Sequence, residues 1–403
     1  MANNENKGFL ALNAGSSSLK FALYLEGSDD PIMEGLCECI GEVGCTIKIK
    51  DGEGNVLPLP DEFSLENHST AMRLVIDTLK MHYPHIEVIA AGHRVVHGGS
   101  VYNAPVIITD EVLEKLKSYI RLAPLHQPHN ISGIEAAMEH FPNVPQLACF
   151  DTAFHRTQPF RNEAFAIPYE YYEKGILRYG FHGLSYDYIN SEVARIEPEL
   201  HKGKVVVAHL GNGASLTAIQ NGESQATSMG FSALDGAPMG TRCGRLDPGV
   251  LLHFLETEGM SVADLTKMLY KESGLLGLSG GLSNDMRVLC EAGTEEGNRT
   301  VDYFINKVRG EIALMASTME GMDLLVFTAG IGENSALIRR EVCQGLAWMG
   351  IEFDDVANTE GKGQRVISTP NSKVKVMVIP TDEELVIVRA ARKLMAENAS
   401  NVA

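Results

Sequence analysis

Five short segments of the sequence place ionisable side chains beside glycine or at the end of an apolar run. They are residues 92–99 (GHRVVHGG), 123–126 (APLH), 150–155 (FDTAFH), 179–183 (YGFHG) and 240–244 (GTRCG). Strand ends are where α/β proteins carry functional groups, and arginine binds a carboxylate or phosphate through two parallel hydrogen bonds. The segments are therefore candidates for functional groups, although a structural role is the better explanation for any one of them alone. His93 and His97 do not indicate a metal centre, because no HExxH pattern accompanies them.

Two turns rich in glycine and serine follow apolar runs and are candidates for binding phosphate. Residues 13–20 (NAGSSSLK) allow several backbone N–H groups to point one way, and Lys20 adds a donor. They do not match the GxxxxGK[ST] loop, and the apolar residues that follow favour a hairpin over a helix. Residues 209–215 (HLGNGAS) contain Asn-Gly, which is typical of a tight hairpin turn. An ordinary hairpin therefore remains open for both turns.

A third turn, residues 327–334 (FTAGIGEN), lies between a predicted strand and a predicted helix. Glycines at such a turn allow a ligand to approach backbone N–H groups at the positive end of a helix. The third glycine of GxGxxG is missing, because Ser335 and Ala336 follow. The pattern therefore fits a mononucleotide better than a dinucleotide.

The elements that must position these residues follow an alternation of strand and helix, which predicts an α/β protein. Apolar, β-branched runs predict strands at 9–12, 86–91, 205–208, 324–328 and 374–379. Helical periodicity predicts helices at 71–82, 111–120, 262–270, 301–319 and 336–347. Ser261 and Asp264 are predicted to form a capping box, and residues 51–61 to turn a hairpin rather than link domains.

Residues 9–23 and 205–219 share one pattern, an apolar strand, a small turn and a second apolar segment. The alignment sets Ser18-Leu19 on Ser215-Leu216. Two strand-turn-strand units about half a chain apart indicate a duplicated architecture with two lobes. Coincidence between two hairpins is the alternative.

Length and charge exclude several classes of function. The 403 residues, 44% of them hydrophobic, suffice for two or three domains with a buried core. The net charge of −18 repels nucleic acid and anionic membranes, so neither is expected as a partner. No apolar run approaches the ~18 residues of a membrane span, no signal peptide begins the chain, and a cytoplasmic location is expected. The seven cysteines, an odd number, are interpreted as reduced thiols.

A series of segments along nearly the whole chain resembles the acetate kinase family, in the same order. They are LNAGSSSLKF, GHRVVHGG, APLH, FDTAFH, YGFHG, VVVAHLGNGAS, DGAPMGTRCGRLDPG, KESGLLGLSGGLSNDMR, VFTAGIGEN and IPTDEELVI. The resemblance implies the fold of the sugar kinase, Hsp70 and actin superfamily, in which two duplicated ribonuclease-H-like lobes enclose a nucleotide cleft. It implies one lobe at 1–150 plus 384–403, carrying the acyl-substrate and phosphate side. The other, at 151–383, would bind the nucleotide and form the dimer contact.

The same resemblance assigns roles to individual residues. Asn13 and Glu383 would hold magnesium through water. Catalysis would depend on the acyl-substrate anchor Arg94, the acidic residue Asp151, and the transition-state stabilisers His182 and Arg242. The acyl pocket would contain Arg94, Val96, Leu125, His126, Phe181 and Ala233. The nucleotide would contact Lys20, His209, Leu210, Gly211, Asn212, Gly213, Asp285, Met286, Arg287, Gly330, Ile331, Gly332, Glu333 and Asn334.

The implied reaction is the reversible transfer of the γ-phosphoryl group of ATP to acetate, giving acetyl phosphate and ADP, with Mg²⁺ or, as a substitute, Mn²⁺. Transfer between two anions requires charge neutralisation and in-line positioning more than covalent help. Arg94 is expected to hold acetate, while Arg242 and His182 bind the equatorial oxygens. Because a carboxylic acid is already ionised at pH 7, Asp151 is expected to orient Arg94 or a magnesium-bound water. Family members are homodimers, and the same is expected here.

Three positions depart from the family pattern. Tyr186 stands where many members have the second histidine of HGTSH, so the surroundings of His182 differ. Asp382 stands where they often have the asparagine of TNEE, and it adds a negative charge near the implied metal. Ala233 replaces the proline of LTPLE, which leaves room for a methylene worth about 1 kcal/mol. Val96 favours the smaller acid, since propionate kinases tend to carry alanine there, so acetate is ranked first and propionate second.

Two other classes of protein remain as alternatives. A nucleotide-gated chaperone or filament former of the same superfamily would share the phosphate hairpins without needing the combination of Arg94, Asp151, His182 and Arg242. Production of ADP that depends on acetate distinguishes the two. A metal-dependent hydrolase would bind a transition metal tightly and act without ATP.

Overall fold

The computed structural model of the chain describes residues 6–41 and 44–402. It divides into two compact units, Met1–Phe154 with Asp382–Ala403 and His155–Thr381. The first unit is therefore assembled from two separate stretches of chain, whereas the second is continuous.

The first unit contains seven strands and four longer helices among its described residues. The strands are β1 Lys7–Ala14, β2 Ser18–Leu25, β3 Pro31–Glu38, β4 Thr46–Asp51, β5 Glu87–Val95, β6 Val106–Ile107 and β7 Gln146–Phe150. The helices are α1 His68–His82, α2 Asp110–Ser118, α3 Gln127–His140 and, from the end of the chain, α16 Glu383–Val402. Short 3₁₀ turns lie at Tyr119–Arg121 and Ala153–Thr157, the second continuing into the other unit.

The sheet of the first unit has the order β4-β3-β2-β1-β5-β7-β6. Strands β1, β5 and β7 run parallel, while β1 to β4 form an antiparallel meander. Helices α1 and α3 cover β1 and β2 through one apolar cluster, and α2 packs with α3 on the ends of β5 and β7 through a second. The central strands are apolar on both faces because both faces are covered.

Helix α16 packs so closely on β5 that only glycine fits at position 92. A Cβ atom placed there would lie 2.3 Å from Cγ2 of Ile387. Arg389 and Arg392 hold the same helix to the β2–β3 turn through Asp29, at 2.7 and 2.8 Å. The close packing fixes the beginning of α16 relative to the end of β5, which lies three residues beyond Gly92.

The second unit contains six strands and the remaining helices of the described chain. The strands are β8 Lys204–Leu210, β9 Ala214–Gln220, β10 Glu223–Thr227, β11 Leu324–Thr328, β12 Arg365–Val366 and β13 Lys375–Val378. The helices before β11 are α4 Phe160–Glu163, α5 Tyr169–Glu173, α6 Gly183–Ile196, α7 Pro198–His201, α8 Pro248–Glu256, α9 Val262–Lys267, α10 Gly274–Leu278, α11 Met286–Glu291 and α12 Glu295–Thr318. After β11 come α13 Ala329–Asn334, α14 Ala336–Gly345 and α15 Asp355–Glu360, with a π turn at Met268–Glu272 and a 3₁₀ turn at Ala347–Met349.

The second sheet has the order β10-β9-β8-β11-β13-β12 and repeats the pattern of the first. Strands β8, β11 and β13 are parallel, and β8 begins an antiparallel meander with β9 and β10. In each unit a hairpin is followed by an antiparallel third strand and two parallel ones. The predicted duplication is therefore confirmed.

The alignment predicted for the two hairpins is wrong by two residues. The last pair of the first hairpin is Ala14 with Leu19, and that of the second is Leu210 with Ala214. The first loop therefore has four residues and the second three, so Leu19 matches Ala214 and not Leu216. The sequence alignment made the second loop one residue longer than the first, whereas strand pairing makes the first loop the longer one.

The predicted elements are confirmed in type, and their ends differ by a few residues. The five apolar runs are β1, β5, β8, β11 and β13, and the predicted helices are α1, α2, α9, α12 and α14. Residues 51–61 begin with a hairpin turn, closed by the antiparallel bridge between Lys50 and Val56. Ser261 caps α9 by accepting from the N–H of Asp264, and its hydroxyl also contacts the Asp264 carboxylate at 2.6 Å.

In the part of the chain that the structure describes, no helix combines the length and apolar character needed to cross a bilayer. The seven cysteines, all of them among the described residues, form no disulfide.

Candidate active site

Arg94 and Asp151 form a two-pronged ion pair at the ends of neighbouring strands. Arg94 is the penultimate residue of β5, and Asp151 directly follows β7, the parallel neighbour of β5. Nε of Arg94 donates to both carboxylate oxygens at 3.0 and 3.2 Å, and Nη2 donates to Oδ2 at 2.7 Å. Asp151 is 1% exposed, and the guanidinium of Arg94 offsets the cost of burying this carboxylate.

Oxygen atoms from two other elements surround the same guanidinium. Oδ1 of Asn13, on β1, accepts from Nη1 of Arg94 at 3.4 Å. Oε2 of Glu383, the first residue of α16, lies 3.8 Å from Nε. The structure therefore brings Asn13, Arg94, Asp151 and Glu383 together as a first-unit cluster.

Burial and unbalanced charge perturb the ionisation of this cluster. Burial alone would lower the pKa of Arg94, but Asp151 and Glu383 raise it above its ordinary value. Burial raises the pKa of Glu383 to about 7; Arg94 opposes this rise, while Asp151 and Glu384 add to it. Such perturbed groups are typical of functional sites.

Lys20 and Asp382 lie at the margin of the first-unit cluster. Nζ of Lys20, on β2, forms an ion pair with Oε2 of Glu384 at 2.8 Å. Burial lowers the pKa of Lys20, but the neighbouring Glu384 raises it, and the pKa ends above its ordinary value. Asp382 caps α16 by accepting from the N–H of Leu385 at 2.9 Å. The substitution of asparagine by aspartate at this position therefore keeps a helix-capping side chain.

The loop of the first hairpin is held from α1 and α3. The N–H of Gly15 donates to the carbonyl of Ser18 at 2.8 Å, which closes the turn. Nε2 of His68 lies 2.9 Å from the carbonyl oxygen of Gly15, and Nδ2 of Asn130 donates to that of Ala14 at 2.8 Å. These contacts hold the loop's carbonyl groups toward the helices. A hairpin, and not a helix, forms here as predicted.

The predicted acyl-pocket residues of the first unit lie close to the end of β5 and the beginning of α3. Val96 directly follows β5, is buried, and donates its N–H to Oδ1 of Asn130 at 2.9 Å. Leu125 and His126 are partly buried, and His126 is the residue before α3.

Two stacked imidazoles form the centre of a second-unit cluster. The rings of His182 and His209 are 4.2 Å apart and inclined by 17°. Nδ1 of His182 lies 2.8 Å from Oγ of Ser215, and Nδ1 of His209 lies 2.8 Å from Oγ of Ser185. His182 has a left-handed backbone, with φ of 59°, and stands at the beginning of α6. This conformation is uncommon for a residue other than glycine, and it makes His182 a candidate for a functional role.

Gly213 brings His182 and Arg242 to one point. A Cβ atom placed on Gly213 would lie 3.0 Å from Nε2 of His182 and 3.1 Å from Nη2 of Arg242. Nη1 of Arg242 donates to the carbonyl oxygen of Ala233 at 2.9 Å, which holds the guanidinium in place. Two nitrogens therefore converge beside a turn whose residue has no side chain, as a small anionic group would require.

The neighbours of His182 and Arg242 are fixed by tight packing. Gly274 has φ of 63°, and a Cβ there would lie 2.7 Å from the carbonyl oxygen of Arg242. Phe181 is buried, and its carbonyl oxygen lies 3.0 Å from Nε2 of His155. Burial lowers the pKa of His155 to about 3, so this ring is neutral.

A cavity of about 540 Å³ lies where the predicted nucleotide segments meet. The predicted residues that line it are Asn212, Asp285, Met286, Arg287, Gly330, Ile331 and Asn334. Residues missed by the sequence analysis also line it: Asn284, Cys290, Glu291, Ser335, Ala336 and Leu337. Cys290 follows Met286 by four residues on α11, and that helical spacing was a signal that could have identified it. The remaining predicted positions, Lys20, His209, Leu210, Gly211, Gly213, Gly332 and Glu333, are not among its lining residues.

The cavity is shaped by two helix beginnings. Asp285 caps α11 by accepting from the N–H of Arg287 at 2.8 Å. Ala329, with φ of 64°, begins α13, and its N–H donates to Oε1 of Glu333 at 2.8 Å. The same oxygen accepts from the N–H of Thr381 at 3.2 Å, so Glu333 braces the backbone beside the cavity.

Arg339 is a buried cation that the sequence analysis missed. It is 1% exposed, and Nη1 donates to the carbonyl oxygens of Gly332 and Glu333, each at 2.8 Å. Nε donates to Oδ1 of Asn358 at 2.7 Å. Burial lowers the pKa of Arg339 to about 10, with Arg365 contributing, so the group remains charged at neutral pH. The guanidinium thus satisfies the carbonyls that end α13, the helix beside the cavity.

Comparison with known proteins gives one consistent result. The model of the family described as "Acetokinase family" matches residues 8–389. The chain is 49% identical to an acetate kinase of Methylocella silvestris over 402 residues, which cover 97% of this chain and 98% of the relative. It is 37% identical to the crystal structure of Porphyromonas gingivalis acetate kinase, with a TM-score of 0.88 over 96% of this chain and 100% of that one. A propionate kinase from Francisella tularensis is 39% identical, with a TM-score of 0.89 over 95% and 98%.

Replacement of Arg339 by methionine should destabilise the second unit. Methionine fills similar space but leaves the carbonyls of Gly332 and Glu333 without their donor. We expect the free energy of unfolding to fall by about 3 kcal/mol, measured by calorimetry. The matched control is Arg340→Met, which removes only a pair with Asp355 at the surface and should cost less than about 1 kcal/mol. Equal losses in the two variants would contradict the role given to Arg339.

Proposed function

This chain belongs to the acetokinase family and is a phosphotransferase that acts on a carboxyl group, and we propose that its preferred acid is acetate. The full reaction proposed is the reversible in-line transfer of the γ-phosphoryl group of ATP to acetate, giving acetyl phosphate and ADP. The observation that carries the proposal is the convergence of His182 Nε2 and Arg242 Nη2 beside Gly213.

The first-unit cluster supplies the group that would hold the acid. Asp151 occupies the Nε side of Arg94, and it shares Nη2 at 2.7 Å. One hydrogen of Nη1 donates to Asn13, which leaves the other hydrogen of Nη1 and the second hydrogen of Nη2 to grip the acid's carboxylate bidentately. Asp151 is therefore a positioning group. Its negative charge also weakens the attraction between Arg94 and the bound acid, so that the ground state is not over-stabilised relative to the transition state.

His182 and Arg242 would stabilise the phosphoryl group during transfer. Its three equatorial oxygens carry the charge of a loose transition state. Nε2 of His182 and Nη2 of Arg242 lie about one hydrogen-bond length from a single point, where an equatorial oxygen would be bound by both. Donors fixed before the reaction cost no reorganisation when the charge develops.

The nucleotide would bind in the second unit. The cavity of about 540 Å³ has the size of a small-molecule site, and its apolar walls, such as Ile331 and Leu337, suit a base. Lys20 would reach phosphate by exchanging its ion pair with Glu384 for a phosphate oxygen. ATP and ADP are therefore the proposed co-substrates.

The oxygen groups near Arg94 fit Mg²⁺ held through water, with Mn²⁺ as a substitute. Among the described residues, no three His, Cys, Asp or Glu side chains form a direct metal centre. Mg²⁺ commonly keeps several waters and uses only one or two protein oxygens, and we assign Asn13 and Glu383 to that role. Carboxylates exceed cations by two in this region, counting Asp151, Asp382, Glu383 and Glu384 against Lys20 and Arg94. When bound, the ion would neutralise charge on the phosphates.

Propionate is the second candidate acid. The Francisella tularensis relative named a propionate kinase resembles this chain as closely in fold as the acetate kinases do. Val96 is buried just after β5. If it lines the acyl pocket as proposed, its second methyl would take space that a longer acid needs. One methylene is worth about 1 kcal/mol, so the preference for acetate should be modest.

We also propose a homodimer formed through the segment around α8. This helix has no buried residue, although its sequence, PGVLLHFLE, is strongly apolar. Leu252 and Val262 are 56% and 72% exposed, and Leu246 and Leu255 are also exposed. Several exposed apolar side chains within one short stretch of chain favour an interface, and a second copy of the chain is the proposed partner.

A cytoplasmic location is proposed on chemical grounds. ATP is an intracellular substrate, and reduced cysteines persist in the reducing compartment of the cell. The excess of acidic residues disfavours nucleic acid and anionic membranes as partners.

The proposed reaction can be tested by trapping the acyl phosphate with hydroxylamine. With ATP and Mg²⁺ we expect acetate to give acetyl hydroxamate, and removal of the metal with EDTA to abolish it. Propionate should react with kcat/KM lower by about fivefold, the factor that corresponds to one methylene. Absence of product with every short acid would refute the function, whereas faster reaction of propionate would reverse only the ranking.

Replacement of Asp151 by asparagine should lower kcat at saturating acid, ATP and Mg²⁺. The variant removes the charge that orients Arg94, and misplacement by about 1 Å costs roughly 100-fold. The control is Asp77→Asn, which changes an exposed carboxylate on α1 and should leave kcat unchanged. A normal kcat for the Asp151 variant would rule out the orienting role.

The proposed dimer predicts a sedimentation mass of twice 43.8 kDa. Leu252→Lys should shift the protein toward the monomer, because a charge would be buried in the interface. Val56→Lys, at a residue 62% exposed in the first unit, is the control and should have no effect. A monomeric parent protein would disprove the proposal.

A further inference from the structure

Ser215 connects the proposed catalytic histidine to a buried tyrosine. Its Oγ lies 2.8 Å from Nδ1 of His182 and 2.5 Å from the phenolic oxygen of Tyr186. Ser215 and Tyr186 are both fully buried. A hydrogen-bonded chain of two hydroxyl groups therefore contacts His182 at Nδ1, on the side of the ring opposite Nε2.

The chemistry of the two hydroxyls sets the direction of this chain. Tyr186 has two hydroxyl partners, Ser215 and Thr217, and we assign its proton to the short bond of 2.5 Å with Ser215, because a phenol is a stronger donor than an aliphatic alcohol. Burial raises the pKa of Tyr186, despite hydrogen bonds with Ser215 and Thr217 that lower it, so the phenol keeps its proton. The hydrogen of Ser215 is then left to donate to Nδ1 of His182, which must accept.

We propose that Tyr186 and Ser215 are positioning residues that hold His182 in the tautomer with its proton on Nε2. The inference rests on the role proposed above for His182 in binding the transferring phosphoryl group. In this tautomer Nε2 donates toward the point beside Gly213 that Nη2 of Arg242 also reaches. The other neutral tautomer would turn a lone pair toward the anion and oppose its binding.

A reciprocal pair of hydrogen bonds opposes a flip of the His182 imidazole ring. Ser215 on β9 binds His182 at the beginning of α6, while Ser185 on α6 binds His209 on β8 at 2.8 Å. The two rings stack at 4.2 Å between these anchors. A flip of the His182 ring would therefore break its bond to Ser215 and disturb the stack at the same time.

Tyr186 is one of the three positions at which the chain departs from the family pattern. Its side chain fills a buried site bordered by the His155 and His209 rings, with centroids 5.4 and 6.3 Å away. Phenylalanine would retain this packing and remove only the hydroxyl. The substitution Tyr186→Phe thus isolates the hydrogen bond from the packing.

The tautomer can be read directly by nitrogen NMR of the protein with ¹⁵N-labelled histidine, the resonances of His182 being assigned by their loss in His182→Gln. We expect the proton on Nε2 and an accepting Nδ1 in the parent protein. Ser215→Ala should give a mixture of tautomers, and Tyr186→Phe a smaller change of the same kind. A parent protein with its proton on Nδ1 would overturn the proposal.

Kinetics provide an independent readout. Ser215→Ala should lower kcat by about 10- to 100-fold and Tyr186→Phe by about 3- to 10-fold, with the KM values for ATP and acid within about twofold. Ser191→Ala and Tyr188→Phe, on α6, are matched controls and should leave kcat unchanged. Unchanged kcat in Ser215→Ala would contradict the proposal.

The two measurements also separate this inference from the proposed function. If Ser215→Ala does not fold, the parent spectrum and Tyr186→Phe decide the outcome. If the parent protein transfers no phosphoryl group to any acid, the proposed function fails. The position of the ring proton still tests the hydroxyl chain in that case.

Discussion

The ion pair between Arg94 and Asp151 is the interaction on which the first-unit cluster depends. Its geometry follows from the sheet, because β5 and β7 are parallel neighbours and both end at the same edge. A guanidinium in this position would be too costly to bury without a carboxylate, and the carboxylate equally needs the guanidinium. Close packing of Ile387 against Gly92 then fixes the beginning of α16, and with it Glu383, beside the pair.

The two units use one architecture for different chemistry. Counting back from the last pair of each hairpin, Asn13 in the first unit corresponds to His209 in the second. Asn13 contacts a guanidinium, whereas His209 stacks on another imidazole. The duplicated sheet therefore supplies equivalent backbone positions, and the side chains at those positions determine what each unit can bind.

The sequence was most informative where structure depends on local pattern. Each predicted strand and helix is present, because apolar periodicity and turn residues act over a few neighbours. The contact expected between Asp151 and Arg94 is also present, while its role remains a prediction. Convergence of residues 212, 285–287, 330, 331 and 334 on one cavity followed from the family resemblance, since nothing in their separate spacing requires it.

Features that depend on distant contacts could not be predicted. Arg339 has no special spacing in the sequence, and its partner Asn358 lies on another helix. Ser215 and Tyr186 likewise come from β9 and α6, so their contact is a property of packing. The error of two residues in the hairpin alignment has the same origin, because loop length is set by strand pairing and not by residue type.

The interrupted path of the chain through the first unit has a consequence for biosynthesis. Residues 155–381 form a continuous body that leaves the ribosome before α16 is made. The sheet that carries Arg94 is translated early, yet Glu383 joins it only after the whole of the other unit has emerged. A nascent chain therefore cannot assemble its complete set of charged groups until translation has reached the last helix.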